Sequence, residues 1–557
     1  MSSDIELIKP AFTTKKYRLI TLQNKLRVIL VSDTNLDSSA ACLIVGTGSI
    51  RDPPDRNGLS HFLEHMLFMG TKKYPDEGEF AKFISEHAGH DNASTGQRTT
   101  NYYFNIDSKY FNEALDRFAQ FFISPLFNES CTMRELNIVH SEHQKNQRID
   151  SWRLRQILRN FSNKDHYFHI FSTGSVQTLN PEGSSILETR ERLIQYFNKY
   201  YSASLMSLAL VGTQSLDELQ EMAEEYFSPI ANFDVPTIDE EILGKEYVKQ
   251  LSESSQKYTQ ICSDLIRNYY LGKNKKNKDE KLNEQQHDDK DQQGEDQWEL
   301  EWKKKCEKYG DLHQSGVLVL HPNSSIKSSS DSKNIIIKPP SLIPLPNNNT
   351  IFPEDVFNSN QIYVVLNYRQ AAILSLQFLM PSSYPFSFLS SPIHIISHLI
   401  GHEGNGSLLS ELRKKMLASE LTTSVTQQNS DFIVFKMDIQ LTQEGSNQIE
   451  EIIDICFQYI DMLKQTVGIP VEQQLQQTEQ QNSICNQEQT KNKLPIYIIA
   501  DILLKDILEF HTQESSEPLN QALNYSHNLL DFSPEYAICG CTISPLYNEE
   551  QEIRQRN

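Results

Sequence analysis

Two histidines four residues apart, with a glutamate just before the second, give the run His61-Phe62-Leu63-Glu64-His65 the pattern H-x-x-E-H. On a helix, residues four apart stand one above the other, so both imidazoles can reach one metal ion. Glu64 projects from the same face and can hold a water instead of the metal. The order inverts the commoner H-E-x-x-H pattern of metal-dependent hydrolysis. Zinc that performs hydrolysis takes three protein ligands and keeps one position open. The third ligand must come from elsewhere, and the helical stretch Arg134–His143 offers the carboxylates Glu135 and Glu142.

These side chains need a rigid support. Leu59, Phe62, Leu63, Met66 and Leu67 form an apolar stripe around the motif, Gly70 is placed to end the helix, and Pro75 lies beyond it. Apolar runs at Leu26–Val31, Ala41–Val45, Tyr102–Ile106 and Ser207–Val211 read as strands. The last leads into a helix opened by Ser215, with Glu218 completing a capping box. A second copy of this order is expected later. It has a strand at Ile373–Met380, a helix around Ile393–Ile400, a strand at Phe432–Leu441, a helix at Glu444–Lys464 and a final strand at Tyr536–Ile543. The expected class is therefore α+β. Residues 1–245 form a first domain, 246–360 a linker, and 361–557 a second domain. Within the linker, residues 272–359 are rich in Lys, Asp, Gln, Asn and Ser, a composition that cannot bury a core and reads as a disordered insertion. Gly316–Leu320 is an apolar island within it.

The blocks GLSHFLEHMLFMGTKKYP, SEHAGHDNASTGQRTTNYYF, ALDRFAQFFISPLF and RELNIVHSEHQKN closely resemble the insulysin family of inverzincin, pitrilysin-like zinc metallopeptidases. SHLIGHEGNGSLLSELRKK resembles the second domain of the same family. The resemblance is dense over Lys16–Asn232 and resumes near Ala371. It implies paired, homologous mixed α/β sandwich domains, of which only the first carries a metal. It also implies one Zn2+ per chain on His61, His65 and Glu142, with Glu64 as general base and Glu135 as a carboxylate orienting a ligand histidine. His140 and His143 flank Glu142 but point away from it on a helix, so neither is expected to ligate. Asn92 and Ala93 fall where relatives bind substrate backbone as an added strand. Phe68, Tyr103 and Trp152 match the aromatic positions of the pocket for the residue before the cut. In the second domain His402, Gly406 and Leu421 match an exosite that holds a substrate's N-terminal segment. His398 and His402 are also four apart, but Gly401 and Gly404 disfavour a continuous helix there.

The sequence departs from the family pattern at Ser94 and Arg155, which replace pocket aromatics, and at Thr423, which replaces a glycine. Family members carry four such domains closing around the peptide, and this chain is expected to supply the first two. The family's arginine and tyrosine that grip the substrate carbonyl have no counterpart here. The leading expectation is a zinc metalloendopeptidase for medium-length unfolded peptides, completed by a C-terminal half or partner. The alternative is a non-cleaving peptide-binding or regulatory half that pairs with a full-length homologue. A subunit like the mitochondrial processing peptidase is a third reading, weakened because no Arg-rich amphipathic segment precedes the first domain.

Composition sets outer bounds. With 557 residues the chain is long enough for more than one core. A net charge of −21 argues against nucleic acid and anionic membrane surfaces as partners. The 8 cysteines show no C-x-x-C pair or disulfide framework, the first sixteen residues lack an apolar signal core, and no run is long enough for a bilayer. A cytoplasmic location is the expectation, and oligomeric state, including a homo-oligomer, is left open.

Overall fold

The computed structural model describes residues 7–10, 13–246, 248–249, 372–381, 392–428, 432–467, 510, 517–532 and 534–540. The insertion at 272–359, with its apolar island, lies outside the described residues. The chain divides into two compact units.

The first unit is a six-stranded mixed sheet. Its strands are β1 (Lys16–Thr21), β2 (Arg27–Ser32), β3 (Ser38–Val45), β4 (His90–Thr95), β5 (Thr100–Asp107) and β6 (Met206–Gly212), in spatial order β1-β2-β6-β3-β5-β4. β2 and β6 run parallel and the remaining neighbours antiparallel. β3 and β6 are buried on both faces, so both faces of the sheet must be covered. One face carries the helices α1 (Leu59–Leu67), α2 (Glu79–Glu86), α3 (Phe111–Ile123), α4 (Glu129–Asn146), α7 (Ile186–Tyr200) and α8 (Leu216–Phe227), whose apolar stripes share a core with Leu43, Tyr102, Phe104 and Leu208. Between α4 and α7 run α5 (Asp150–Phe161) and the short α6 (Val176–Leu179), and α9 (Ile238–Leu243) follows α8. The Ser215–Glu218 capping box forms as the spacing predicts.

The second unit has the antiparallel sheet β7-β9-β8, from β7 (Ile373–Pro381), β8 (Ala418–Gln428) and β9 (Phe432–Leu441). The helices α10 (Pro392–Gly401), α11 (Leu408–Lys414) and α12 (Ile449–Val467) belong with it. β8 was not among the expected strands. Its Glu, Thr, Ser and Gln residues hide the pattern, because among the described residues it is an edge strand.

Two expectations need correction. Pro534–Tyr536 form a 3-10 turn and the described residues through 540 continue as turns, so the expected strand at Tyr536–Ile543 does not form there. The helix α13 (Pro518–Asp531) belongs to the first unit, not to a second domain spanning 361–557. It covers the far face of the first sheet over β3 and β6, and Ser207 Oγ donates to the Ser526 carbonyl at 2.8 Å. A half-covered sheet with apolar Ala209 and Val211 on its open face has a strong need for such a lid.

Candidate metal centre

α1 places His61 and His65 side by side, with ring centroids 4.9 Å apart. The helix is fixed by its buried face, Leu59, Phe62, Leu63, Met66 and Leu67, and by packing on α4 and α7. α4 brings Glu142 across from it. Glu142 Oε2 lies 3.5 Å from His61 Nε2 and 3.7 Å from His65 Nε2. One ligand atom from each of the three residues falls within 4.8 Å of the others, the only such cluster among the described residues. Zinc–ligand bonds near 2.0–2.1 Å place tetrahedral donors about 3.3 Å apart, so a small inward shift completes the set.

The other ring nitrogens are also engaged. His61 Nδ1 donates to the Thr173 carbonyl at 2.6 Å, and Glu135 Oε2 lies 3.4 Å from His65 Nδ1. Glu135, two turns before Glu142 on α4, is buried. Both histidines thus turn Nε2 toward Glu142. Burial alone would lower the pKa of His65, but bonds to Glu135 and Glu142 outweigh it and carry the value up to about 9. The bond to His65 comes first among the causes that hold Glu142 below the ordinary carboxylate range.

Glu64 is 7 % exposed, and burial raises its pKa against the lowering charge of His61 and a hydrogen bond from the Thr95 hydroxyl. A carboxylate moved toward neutrality while still bonded at one oxygen is suited to accept a proton. Thr95, Thr173 and Asn146, whose amide donates to Glu142 at 3.4 Å, were not singled out from the sequence. Thr95 and Asn146 lie within recognised blocks, but nothing local marks them. Thr173 acts through its backbone, which leaves no side-chain signature.

His140 and His143 are turned aside. His140 Nδ1 accepts from the Val176 N–H at 3.5 Å, and the His143 ring packs edge-on against Phe171 with centroids 5.0 Å apart. Both therefore sit away from the His61–His65–Glu142 cluster.

β4 is the sheet edge beside α1, with Asn92 exposed and Ala93 half-buried against the core. The three expected pocket aromatics do not form one wall. Phe68 packs against Phe80, Tyr102 and Phe121 on the α1 face. Tyr103 follows Tyr102 in β5 and so points to the opposite face, paired with Asn92 on one side and Cys42 on the other. Trp152 on α5 lines a separate cavity of about 320 Å³ with Asn146, Arg153, Gln156, Phe171 and Thr173. That cavity adjoins the centre through Asn146 and Thr173. The Arg155 guanidinium stands 5.0 Å from the Trp152 ring centroid, and the Ser94 hydroxyl bonds Asn101.

In the second unit α10 ends at Gly401, and exposed His402 accepts the Gly404 N–H on Nδ1 at 3.0 Å. Its ring centroid is 6.4 Å from that of His398. Gly406 lies in an exposed turn with φ of 82°. Leu421 is 3 % exposed within the unit's core, so its side chain cannot meet a substrate; only its backbone in edge strand β8 can. Thr423 Oγ1 donates to the Ser397 carbonyl at 3.0 Å, which ties β8 to α10.

Insulinase (Peptidase family M16) matches residues 27–169, which hold His61, His65 and Glu142, and Peptidase M16 inactive domain matches residues 188–266 and 325–481. The chain is 32% identical to the insulin-degrading enzyme of Bos taurus over 535 residues, covering 95% of this chain and 40% of that protein. It is also 32% identical to the peroxisomal insulin-degrading enzyme-like 1 of Arabidopsis thaliana over 465 residues, covering 83% of this chain and 36% of that protein. It thus spans about two-fifths of the length of these relatives. The crystal structure of pitrilysin superposes with a TM-score of 0.66 at 18% identity, over 98% of this chain and 44% of that one, which carries the fold. With both family matches in order along the chain, and the His61–His65–Glu142 cluster inside the first, the protein belongs to peptidase family M16, the insulinases.

Proposed function

We propose that this chain is the zinc-bearing part of a metalloendopeptidase that cuts medium-length, unfolded peptides. The observation that carries the reading is the convergence of His61, His65 and Glu142 on one point, beside a buried Glu64 from the same helix. Two neutral imidazoles and a carboxylate suit zinc and leave a fourth position open. Bound there, zinc supplies Lewis acidity toward a peptide carbonyl and lowers the pKa of a water to about 7. Glu64 takes the proton of the attacking water and returns it to the leaving amine. Thr95 holds one Glu64 oxygen, which leaves the other for the proton. Glu135 and the Thr173 carbonyl orient the two histidines from behind.

Among the described residues β4 has no strand on its outer edge, which supports an extended peptide as substrate, added as one more strand. Such pairing needs unfolded backbone, and Asn92 and Ala93 lie along that edge. Buried thiols at Cys42, Cys131 and Cys456 fit a cytoplasmic location.

The test is Glu64→Gln, which keeps the side-chain shape but cannot accept a proton. Zinc content measured by atomic absorption should stay near one per chain, while cleavage of a quenched fluorogenic peptide is lost. Cleavage at the parent rate would remove Glu64 as base. Peptide binding without cleavage in the parent itself would favour the non-cleaving, peptide-binding reading.

A further inference from the structure

His61 is held by backbone that lies outside its own motif. Its Nδ1 sits 2.6 Å from the Thr173 carbonyl oxygen, which can only accept. That nitrogen therefore carries the proton, and Nε2 keeps its lone pair toward Glu142. The carbonyl is placed by a contact between two glycines. Gly58, the residue before α1, has φ of 92°, and a Cβ there would overlap the backbone of Gly174. Gly174 has φ of 81°, and its Cβ would meet Leu179 Cδ1 at 2.8 Å and Gly58 Cα at 3.3 Å. The turn that starts the metal helix and the turn that presents Thr173 thus touch through bare backbone.

Each turn has its own anchor. Asp52, 4 % exposed, accepts the Gly58 N–H on Oδ2 and the Ser60 N–H on Oδ1, both at 2.8 Å. It satisfies the free donors at the start of α1 from six residues upstream. On the other side buried Arg159 donates to the Ile170 carbonyl at 3.3 Å and to the Ser172 hydroxyl at 2.7 Å.

We propose that Asp52, Gly58 and Gly174 form a backbone clamp that locks His61 as the Nδ1–H tautomer and presets the metal site before the ion arrives. They are positioning residues and touch neither metal nor substrate. The clamp rests on reading His61 as a ligand, so the experiment separates the two ideas.

Histidine-labelled full-length chain, stripped of metal and held where imidazoles are neutral, is examined by long-range proton–nitrogen correlation. The His61 signals, assigned by their loss in His61→Ala, should show a proton on Nδ1 and none on Nε2. In Gly58→Ala the ring should populate both tautomers, and zinc affinity should fall about 10–100-fold, the usual cost of losing an outer partner of a ligand. If Gly58→Ala does not fold, Asp52→Asn keeps the size and one acceptor and should shift both readouts the same way. A parent ring with its proton on Nε2 overturns the clamp without any variant. So does a folded Gly58→Ala that binds zinc within about threefold of the parent, well short of the outer-partner loss. His61→Ala with undiminished zinc affinity would instead overturn the metal reading. Loss of zinc in His61→Ala but not in Gly58→Ala would sink the clamp alone.

Discussion

His65 sits between two carboxylates, Glu135 and Glu142, and this has consequences that do not require catalysis. Its pKa of about 9 lies above the ordinary 6.5, so the folded metal-free protein binds a proton that the unfolded chain releases. A raised pKa stabilises fully below about 6.5, and the stabilisation is lost as pH climbs through about 9. Metal-free protein should therefore melt at progressively lower temperature across that window, and Glu135→Gln should flatten the slope. Zinc requires the neutral ring, so binding should release a proton and strengthen with pH over the same range. Calorimetry in two buffers of different ionisation enthalpy reads that proton directly; equal heats would contradict the assignment. Among the carboxylates, Glu142→Gln should weaken zinc by more than the roughly 10–100-fold expected of an outer partner. His143→Ala should leave zinc content unchanged, since its ring is packed on Phe171. Equal zinc content in the two variants would remove Glu142 as third ligand.

At the scale of elements, α1 was legible because its stripe, glycine and motif are all local in sequence. The helix α13 was not foreseen, because a buried face that mixes polar Gln521 and Ser526 with Ala522 and Leu529 does not name the surface it covers. That surface is the far side of the first sheet. Leu529→Ala, although distant in sequence, should destabilise the first unit by about 2–5 kcal/mol, as expected for a fully buried leucine. Urea unfolding followed by zinc release would measure it, and an unchanged midpoint would show that α13 is dispensable. The strand β5 holds a similar lesson. Tyr102 and Tyr103 are neighbours in a block that matches the family, yet strand alternation sends one toward Phe68 and the other to the opposite face.

The chain spans about two-fifths of the relatives it matches, and its candidate metal site lies beside β4, the sheet edge among the described residues. Preorganised donors that stabilise a developing oxyanion are each worth on the order of a hundred-fold or more in rate. The described residues near the centre hold no arginine aimed at it; Arg153 is paired with Asp150 at 3.0 Å and Arg159 with the 170–172 segment. The chain alone should therefore bind a fluorogenic peptide but cleave it at least about a hundred-fold more slowly than a full-length relative. Adding a C-terminal half from such a relative should raise the rate if sedimentation shows that the halves associate. Full activity of the isolated chain would show that its own residues suffice.

The sequence by itself placed His61, Glu64 and His65 on one helix face, because two histidines and a glutamate within one helical turn need only the pitch of the helix to face together. It also placed most strands of the first unit, since buried strands carry continuous apolar runs. The expectation of Glu142 as third ligand and of Glu135 as the partner of a histidine came from family resemblance, for nothing local chooses between two carboxylates seven residues apart. Only the tertiary structure decided the rest: the Thr173 carbonyl on His61, the Thr95 hydroxyl on Glu64, the glycine contact beneath them and the return of α13 to the first sheet. Each joins residues distant in sequence, through backbone atoms, single hydroxyls or an unspecific apolar face. Such contacts are fixed when the core packs, and the residues that make them look ordinary until it does.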